Sequence, residues 1–491
     1  MKIFKYFQGN FIDLTITTLG MLPLGQELAL AYPLQLPSSN TIAQSTPKNQ
    51  TEQIFLEVEG RLEAGDRKLD DGALSDIHRF EGQAGQTVTI RLESNDFDSY
   101  VGLADSSNQL IGENDDNPRV SGTDAQLITT LPRDGTYAVI VRAFDNSGRG
   151  NYQLTVSSAS EEEITFTEAL FLFTQGNRQD RNNQFSEAIQ SFEQSLVLFR
   201  KIHDPRGEAV SLVGIGGVYL STGEYDQAID VLNQALIINR ENGYQQSEAV
   251  TLTRLSIVYD SLGQYDQAIL LAEQALAIER EIGDRYGELG SLNNLGSTYF
   301  SLGQYDQANE LHQQALLLAR AIESRKGEAD ALGNLGNIYE ATGQYERAVD
   351  SYQQALTVQQ EINDQSGEAK SLSNLGWMYR LLGQYDRAIE NSQQSLEVYR
   401  KIGARAGESE VLGILAVAYQ DIGQYDRAIE HNKQALIIAQ DINYRQWEGS
   451  ILGNLGRLYG DLENHERAIE LHQQSLQIAR EVGDRRGEAT S

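Results

Sequence analysis

Four asparagines, Asn294, Asn334, Asn374 and Asn454, stand at multiples of 40 residues, each directly before a Leu-Gly pair. A carboxamide offers two donors and an acceptor, so a row of them can pair with both polar groups of an extended peptide backbone. The same carboxamides could instead bond between neighbouring helices or face solvent, and both readings stay open. Asparagine is a poor helix former, so its recurrence wants a compensating contact. Arg254, itself a candidate contact, and Ile414 take the same register and interrupt the row. Lys370, Trp377, Arg380, Asn337, Phe300 and Arg457 lie on the same segments and are further candidates for holding a partner. Trp and Arg among them are the residue types over-represented in binding anchors.

A second constellation is acidic. Asp96, Asp98, Asp115 and Asp116 could converge on a calcium ion, because hard cations take several carboxylate and carbonyl oxygens. Their spacing is not that of a helix-loop-helix calcium loop, and aspartate also favours turns by bonding the nearby backbone. Ion and turn both stay open, and no other cofactor is implied.

Catalytic patterns are missing from the chain. His465-Glu466-Arg467-Ala468 lacks the second histidine of a zinc-protease helix, and Gly214-Ile215-Gly216-Gly217 falls inside a helical pattern where no phosphate loop can form. His312 and His472 hold equivalent positions in different units and read as structural. Cysteine is absent, which excludes disulfides, a thiolate nucleophile and Cys-ligated metals. A net charge of -31 over 491 residues argues against a nucleic-acid binder, which needs a basic face, and against adhesion to an anionic membrane.

The elements that must position these residues follow from the period. Gly-Glu recurs at Gly207, Gly287, Gly327, Gly367, Gly407 and Gly487 in one register, so units of 40 residues stack as an array. Eight units start near Thr167, Gly207, Ser247, Gly287, Gly327, Gly367, Gly407 and Trp447. In the first helix of each, leucine (Leu212, Leu252, Leu292 and onward) precedes a small residue (Gly216, Ser256, Gly296, Gly336, Gly376, Ala416, Gly456) and then tyrosine (Tyr219 to Tyr459). Glycine inside a helix costs about 1 kcal/mol against alanine, so its recurrence points to close helix packing. The second helix carries alanine (Ala188 to Ala468) and, eight residues on, leucine (Leu196 to Leu476). Gly243, Gly283, Asn363, Gly403, Asn443 and Gly483 mark its end, as residues that tolerate a left-handed turn. His203 and Glu323 break that column and are expected to end their helices differently.

This Leu, Leu-Gly, Tyr, Gly-x-Tyr, Ala spacing resembles the tetratricopeptide repeat, in the 40-residue form of kinesin light chains and Leu-Gly-Asn repeat polarity proteins rather than the usual 34 residues. The resemblance implies an all-α right-handed superhelical solenoid over 167–486, its first helices lining a concave groove. It also implies a protein or peptide partner, since in related proteins the asparagine position forms a ladder for bound peptide. The two-lysine carboxylate clamp of chaperone-binding repeats has no counterpart here, so a C-terminal-carboxylate ligand is not expected.

Ahead of the array the periodicity is two. Alternation in Glu57–Leu62, Thr87–Leu92, Tyr137–Val141 and Tyr152–Val156, between turn clusters such as Ala84-Gly85-Gln86, predicts an antiparallel sandwich over 53–156. Asp76, Phe80, Asn95 to Tyr100, Asn114 to Asp116, Asp134 to Tyr137 and Gly150-Asn151-Tyr152 resemble the bacterial pre-peptidase C-terminal domain, a small all-β jelly-roll-like module of secreted proteins. Residues 157–166 read as a polar acidic linker. Before the sandwich, Lys2 and Lys5 precede an apolar run ending in Ala29-Leu30-Ala31, a small-x-small cleavage pattern that predicts an export signal over 1–31 and a flexible spacer over 32–52. The run is too interrupted to span a membrane.

The chain is therefore expected to be multidomain, exported to the periplasm or beyond in a bacterium, and a non-enzymatic scaffold that binds a partner in its groove. The competing expectation makes it the recognition part of a larger protease-type protein with a caspase-like domain downstream, since residues 487–491 begin a ninth unit.

Overall fold

A computed structural model describes residues 53–64, 66–68, 74–114, 124–144 and 148–482. The expected signal, the spacer, Asp115, Asp116 and the start of a ninth unit lie outside these. The described residues divide into two compact units, 53–244 and 245–482.

The first unit opens with nine strands: β1 (Ile54–Leu62), β2 (Arg67–Lys68), β3 (Leu74–Gly82), β4 (Thr87–Glu93), β5 (Ser99–Ala104), β6 (Leu110–Asn114), β7 (Ala125–Thr130), β8 (Gly135–Ala143) and β9 (Gly150–Ser158). They form two antiparallel sheets, ordered β1-β9-β4-β7 and β2-β3-β8-β5-β6. Alternate residues of facing strands fill the core, with Val88, Ile90 and Leu92 of β4 and Leu154 and Val156 of β9 against Val101, Leu103, Val139 and Val141. The four alternating stretches are β1, β4, β8 and β9. β5 is buried on nearly every residue and so has no alternation to read.

The stretch expected as a linker is instead structured. β9 runs to Ser158 and α1 (Glu161–Arg181) begins three residues later. Ser160 and Glu163 close a capping box: the Glu163 N–H donates to Ser160 Oγ at 3.1 Å, and the Ser160 N–H to the Glu163 carboxylate at 2.9 Å. Three acidic residues in the first turn suit the positive end of a helix, which is why an acidic run here is a helix start. Glu163 is buried and also pairs with Arg91 of β4 and accepts from Gln126 of β7 at 3.1 Å, so the helix start is fixed to the sandwich. Ser160→Ala should weaken this unit by about 1 kcal/mol, read as a lower urea midpoint. An unmoved midpoint would mean that the box contributes nothing.

The unit continues with α2 (Phe185–Lys201), α3 (Pro205–Thr222) and α4 (Tyr225–Asn242). The second unit holds α5 (Gln245–Ser261), α6 (Tyr265–Ile282), α7 (Arg285–Ser301), α8 (Tyr305–Ala321), α9 (Arg325–Ala341), α10 (Tyr345–Glu361), α11 (Gln365–Leu381), α12 (Tyr385–Ile402), α13 (Arg405–Asp421), α14 (Tyr425–Asp441), α15 (Arg445–Asp461) and α16 (His465–Val482). Odd-numbered helices are the first and even-numbered the second of each repeat. Within each unit, every helix packs on the one before it and the one after it.

The recurrent Gly-Glu marks the junction between repeats. Asp204, Asp284, Ser324 and Asp364 cap the first helices by accepting the N–H of Gly207, Gly287, Gly327 and Gly367. The following glutamate reaches back eight residues, in the pairs Arg200–Glu208, Arg280–Glu288, Arg320–Glu328 and Arg400–Glu408 at 2.8–2.9 Å. His203 and Glu323, expected to end their helices differently, do not: both take the left-handed conformation, at φ of 54° and 58°. The next N–H, of Asp204 or Ser324, bonds back to Phe199 O or Ala319 O, so the turn geometry overrides a conformational cost of about 1–2 kcal/mol.

Candidate functional site

In six of the eight first helices the interior small residue is a glycine, and it faces a side chain of the second helix. A Cβ on Gly176 would lie 2.8 Å from Phe192, on Gly216 2.6 Å from Leu232, on Gly296 2.7 Å from His312 and on Gly336 2.5 Å from Tyr352. The close approach is thus real, and the partner's size varies while the glycine stays. With Leu292, Leu295, Ala308 and their equivalents buried, this framework fixes which way the remaining first-helix positions point. First helices also touch one another, α5 with α7, α7 with α9, and α11 with α13, and so present a shared face.

The asparagine row lies half-buried on that face. Asn294 donates to Ser256 Oγ of α5 at 3.2 Å, and Asn334 lies 3.5 Å from His312 Nδ1 of α8, so both make interhelical contacts. Asn454 accepts from Arg457 on its own helix. Asn374 has no hydrogen-bond partner among the described residues. Beside the row, a Cβ on Gly290 or Gly333 would meet nothing within 4 Å, which leaves backbone open to the surface there.

The other candidates separate clearly. Asn337, 8% exposed, accepts from the Tyr352 hydroxyl at 2.7 Å. Trp377, 6% exposed, donates its indole N–H to Glu340 at 3.0 Å, and the Arg380 guanidinium lies 4.7 Å above its ring. Arg380 also donates to Asp421 of α13 at 2.7 Å. Asn337, Trp377 and Arg380 are therefore brought together around Glu340 and Tyr352, groups that the sequence reading did not single out. Phe300 is half-buried against Tyr305, with ring centres 5.5 Å apart. Arg254 and Arg457 are half-buried on α5 and α15, and Arg457 lies within electrostatic reach of Arg380. Lys370 stands one turn before Asn374 on α11, flanked on neighbouring first helices by Asp330 and Glu410 at the same repeat position.

Burial dominates the electrostatics. It pushes the Glu340 carboxyl up to about 7, against the donors Tyr352 and Trp377 that favour its charge. Glu410 is likewise pushed up to about 7 by burial, opposed by Lys370 and by the Tyr444 hydroxyl 3.5 Å away. Burial lowers the Lys370 ammonium, and Asp330 and Glu410 pull it back. His312, enclosed behind Gly296, is driven down to about 3 by burial and stays neutral. No group of three or more His, Cys, Asp or Glu able to hold a metal gathers among the described residues. Asp96 accepts the Asn151 N–H at 2.7 Å, and the Asp98 carbonyl accepts the Phe144 N–H at 2.7 Å, both ties between loop and strand ends. No helix among the described residues is long and apolar enough to cross a membrane.

Helix pairs of this length, joined by tight turns and interlocked through glycine, define a helical repeat solenoid that displays one face of its first helices. The family model for the tetratricopeptide repeat matches residues 181–241, 208–281, 287–361, 327–401 and 405–485, more than half of the chain, and the chain belongs to that family. The bacterial pre-peptidase C-terminal domain matches residues 74–143, within the sandwich. Among solved structures, the chain is similar to the apo form of the quorum sensor NprR from B. thuringiensis, at 15% identity and a TM-score of 0.51, covering 65% of this chain and 89% of that one. It is also similar to a signal transduction ATPase with numerous domains and a tetratricopeptide repeat sensor from Pyrococcus horikoshii. There the identity is 17% and the TM-score 0.52, over 66% of this chain and 50% of that one. At these identities the likeness concerns the fold. No curated protein matches the chain significantly.

Proposed function

We propose that the protein is an exported, non-enzymatic scaffold whose first-helix face over α7, α9 and α11 captures an extended peptide or a peptide-like segment of a partner protein. The observation that carries this reading is the half-buried row Asn294, Asn334 and Asn374 beside Gly290 and Gly333, where backbone and carboxamides share an uncovered surface. Asn294 and Asn334 each make one interhelical contact, and a carboxamide has capacity for more. The export half of the reading rests on the residues before Tyr32 and on the pre-peptidase module, a companion of secreted proteins. A solenoid is suited to the task because each repeat adds one more strip of contact to a continuous surface.

Asn294→Ala combined with Asn334→Ala should weaken capture of a native-cell partner in a pull-down by about thirtyfold, from two lost hydrogen bonds at about 1 kcal/mol each. The melting temperature should fall only slightly, since both sites are half-buried. Undiminished capture by a folded double variant would remove this face from consideration.

A further inference from the structure

One position in the last turn of the second helices lies under the glycine of the next repeat's Gly-Glu. It holds Phe199, Glu279, Ala319, Gln359 and Tyr399, each within 3.5 Å of where a Cβ on Gly207, Gly287, Gly327, Gly367 or Gly407 would stand. Glu279 alone among these five carries a charge. It is 3% exposed, and its Oε2 has no hydrogen-bond partner among the described residues. Gln359 shows what this junction accepts. Its amide nitrogen, oriented by its surroundings, donates to Ala355 O at 3.3 Å, Ser371 Oγ at 2.7 Å and Gly367 O at 3.1 Å. Two repeats earlier the chain has Ala275, Ser291 and Gly287 at those positions, so Glu279 sits in the same oxygen-lined junction. The Ser291 hydroxyl can turn to donate, but the two carbonyls cannot. A carboxylate has only acceptors to offer them, whereas the protonated acid has a donor.

We propose that Glu279 is a proton latch between the third and fourth repeats: as the neutral acid it donates to the oxygens of this junction and holds α7 on α6, and as the carboxylate it is expelled and the junction opens. The proton passes to water, and no other bond changes. Burial pushes this carboxyl up from its ordinary 4.5 to about 7, Ser291 opposes that, and Asp284 of the turn and Glu288 of α7 add to it. Arg280 is the one cation that bears on it among the described residues, and Arg280 donates instead to Glu288 at 2.8 Å. Glu288 also faces Arg285, 3.8 Å away. From the other side of α6, α5 places Thr253 beside Ser291, with 3.3 Å between the hydroxyls, and no described charged group of α5 acts on Glu279. Below pH 4.5 the acid is neutral whether the junction is open or closed. Between 4.5 and 7 the open form releases the proton and the closed form keeps it, so each pH unit favours opening about tenfold more. Above 7 both forms are ionised and the bias stays constant. The joint is therefore closed in mildly acidic surroundings and loosened in neutral and alkaline ones. This holds whatever the first-helix face captures.

The test is hydrogen exchange read by mass spectrometry on the full chain from pH 5.5 to 7.5, with rates corrected for the intrinsic effect of pH. In wild type, amides in the last turn of α6 and the first two turns of α7 should lose protection about tenfold or more across that range. In Glu279→Gln, which copies Gln359, the same amides should change less than about twofold. Gln359→Glu should add a comparable loss at the end of α10 and the start of α11, beyond what wild type shows there. Helices α15 and α16 serve as the internal reference and should respond alike in all three chains. Equal losses in wild type and Glu279→Gln, or no loss in either, would overturn the latch. A wild-type loss that is as large in α15 and α16 would also overturn it, because it reports unfolding of the whole unit and not of one joint. Gln359→Glu without any added pH dependence at α10 and α11 would show that a buried acid in this junction does not gate it.

Discussion

Trp447→Ala is expected to destabilise the second unit by about 3–5 kcal/mol, the range for emptying a buried aromatic site. Trp447 is 1% exposed on α15 and stands where other repeats have the glycine of Gly-Glu. In two of those repeats the glycine makes room for an aromatic residue eight positions earlier: a Cβ on Gly207 would be 2.1 Å from Phe199, and on Gly407 2.4 Å from Tyr399. Before Trp447 that earlier residue is Ala439. The large and small partners have exchanged places across the junction, and the volume is filled from the other side. Gly413 completes the fit, since a Cβ there would lie 2.9 Å from the indole ring. The indole N–H donates to Ser409 Oγ at 3.0 Å, so truncation also removes the donor to a buried hydroxyl, which keeps only its own bond to Ala435 O. Urea denaturation followed by circular dichroism should show the transition of the second unit moving to lower urea. Trp447→Gly with Ala439→Tyr, which copies the Tyr399–Gly407 arrangement, should recover part of the loss. An unchanged midpoint for Trp447→Ala would show that the pocket collapses without cost.

That exchange shows what the sequence makes legible. Columns fixed by backbone approach, such as Gly296 and Ala308, carry one residue type in most repeats and can be read from the period alone. Columns fixed by complementary volume vary. Phe192, Leu232, His312 and Tyr352 look unrelated until each is seen to cover a glycine. The Ser160–Glu163 box was present as a Ser-x-x-Glu signature, yet the acidic run around it reads equally as a solvated linker until Arg91 and Gln126 are found to receive Glu163. On the candidate site, position was legible and pairing was not. The period places Trp377, Arg380 and Asn337 on first helices, but Glu340, 37 residues before Trp377, becomes its partner only when α9 and α11 are set side by side.

Glu340→Gln should stabilise the second unit at pH 8 by about 2–3 kcal/mol and leave it nearly unchanged at pH 5. The carboxyl is enclosed between α9, α10 and α11, and burial raises it from its ordinary 4.5 to about 7. Below pH 4.5 folded and unfolded chains both hold the proton, and the group contributes nothing. Between 4.5 and 7 the unfolded chain releases the proton while the folded chain keeps it, so stability falls as pH rises. Above 7 the full penalty of an ionised, enclosed carboxylate is present. Glutamine keeps the oxygen that accepts from Trp377 at 3.0 Å and removes the titration. Comparing melts of wild type and variant across pH 5–8 isolates this group from the histidines, which burial lowers and which therefore act in the opposite direction. A constant offset, or a loss that grows toward pH 8, would show that Tyr352 and Trp377 stabilise the charged form more than burial opposes it. A repeat that keeps such a carboxylate sacrifices stability in the middle of the proposed capture face. If Glu340→Gln gains stability at pH 8 and loses capture in the pull-down, the cost is the one expected where a binding face, and not packing, sets the residue.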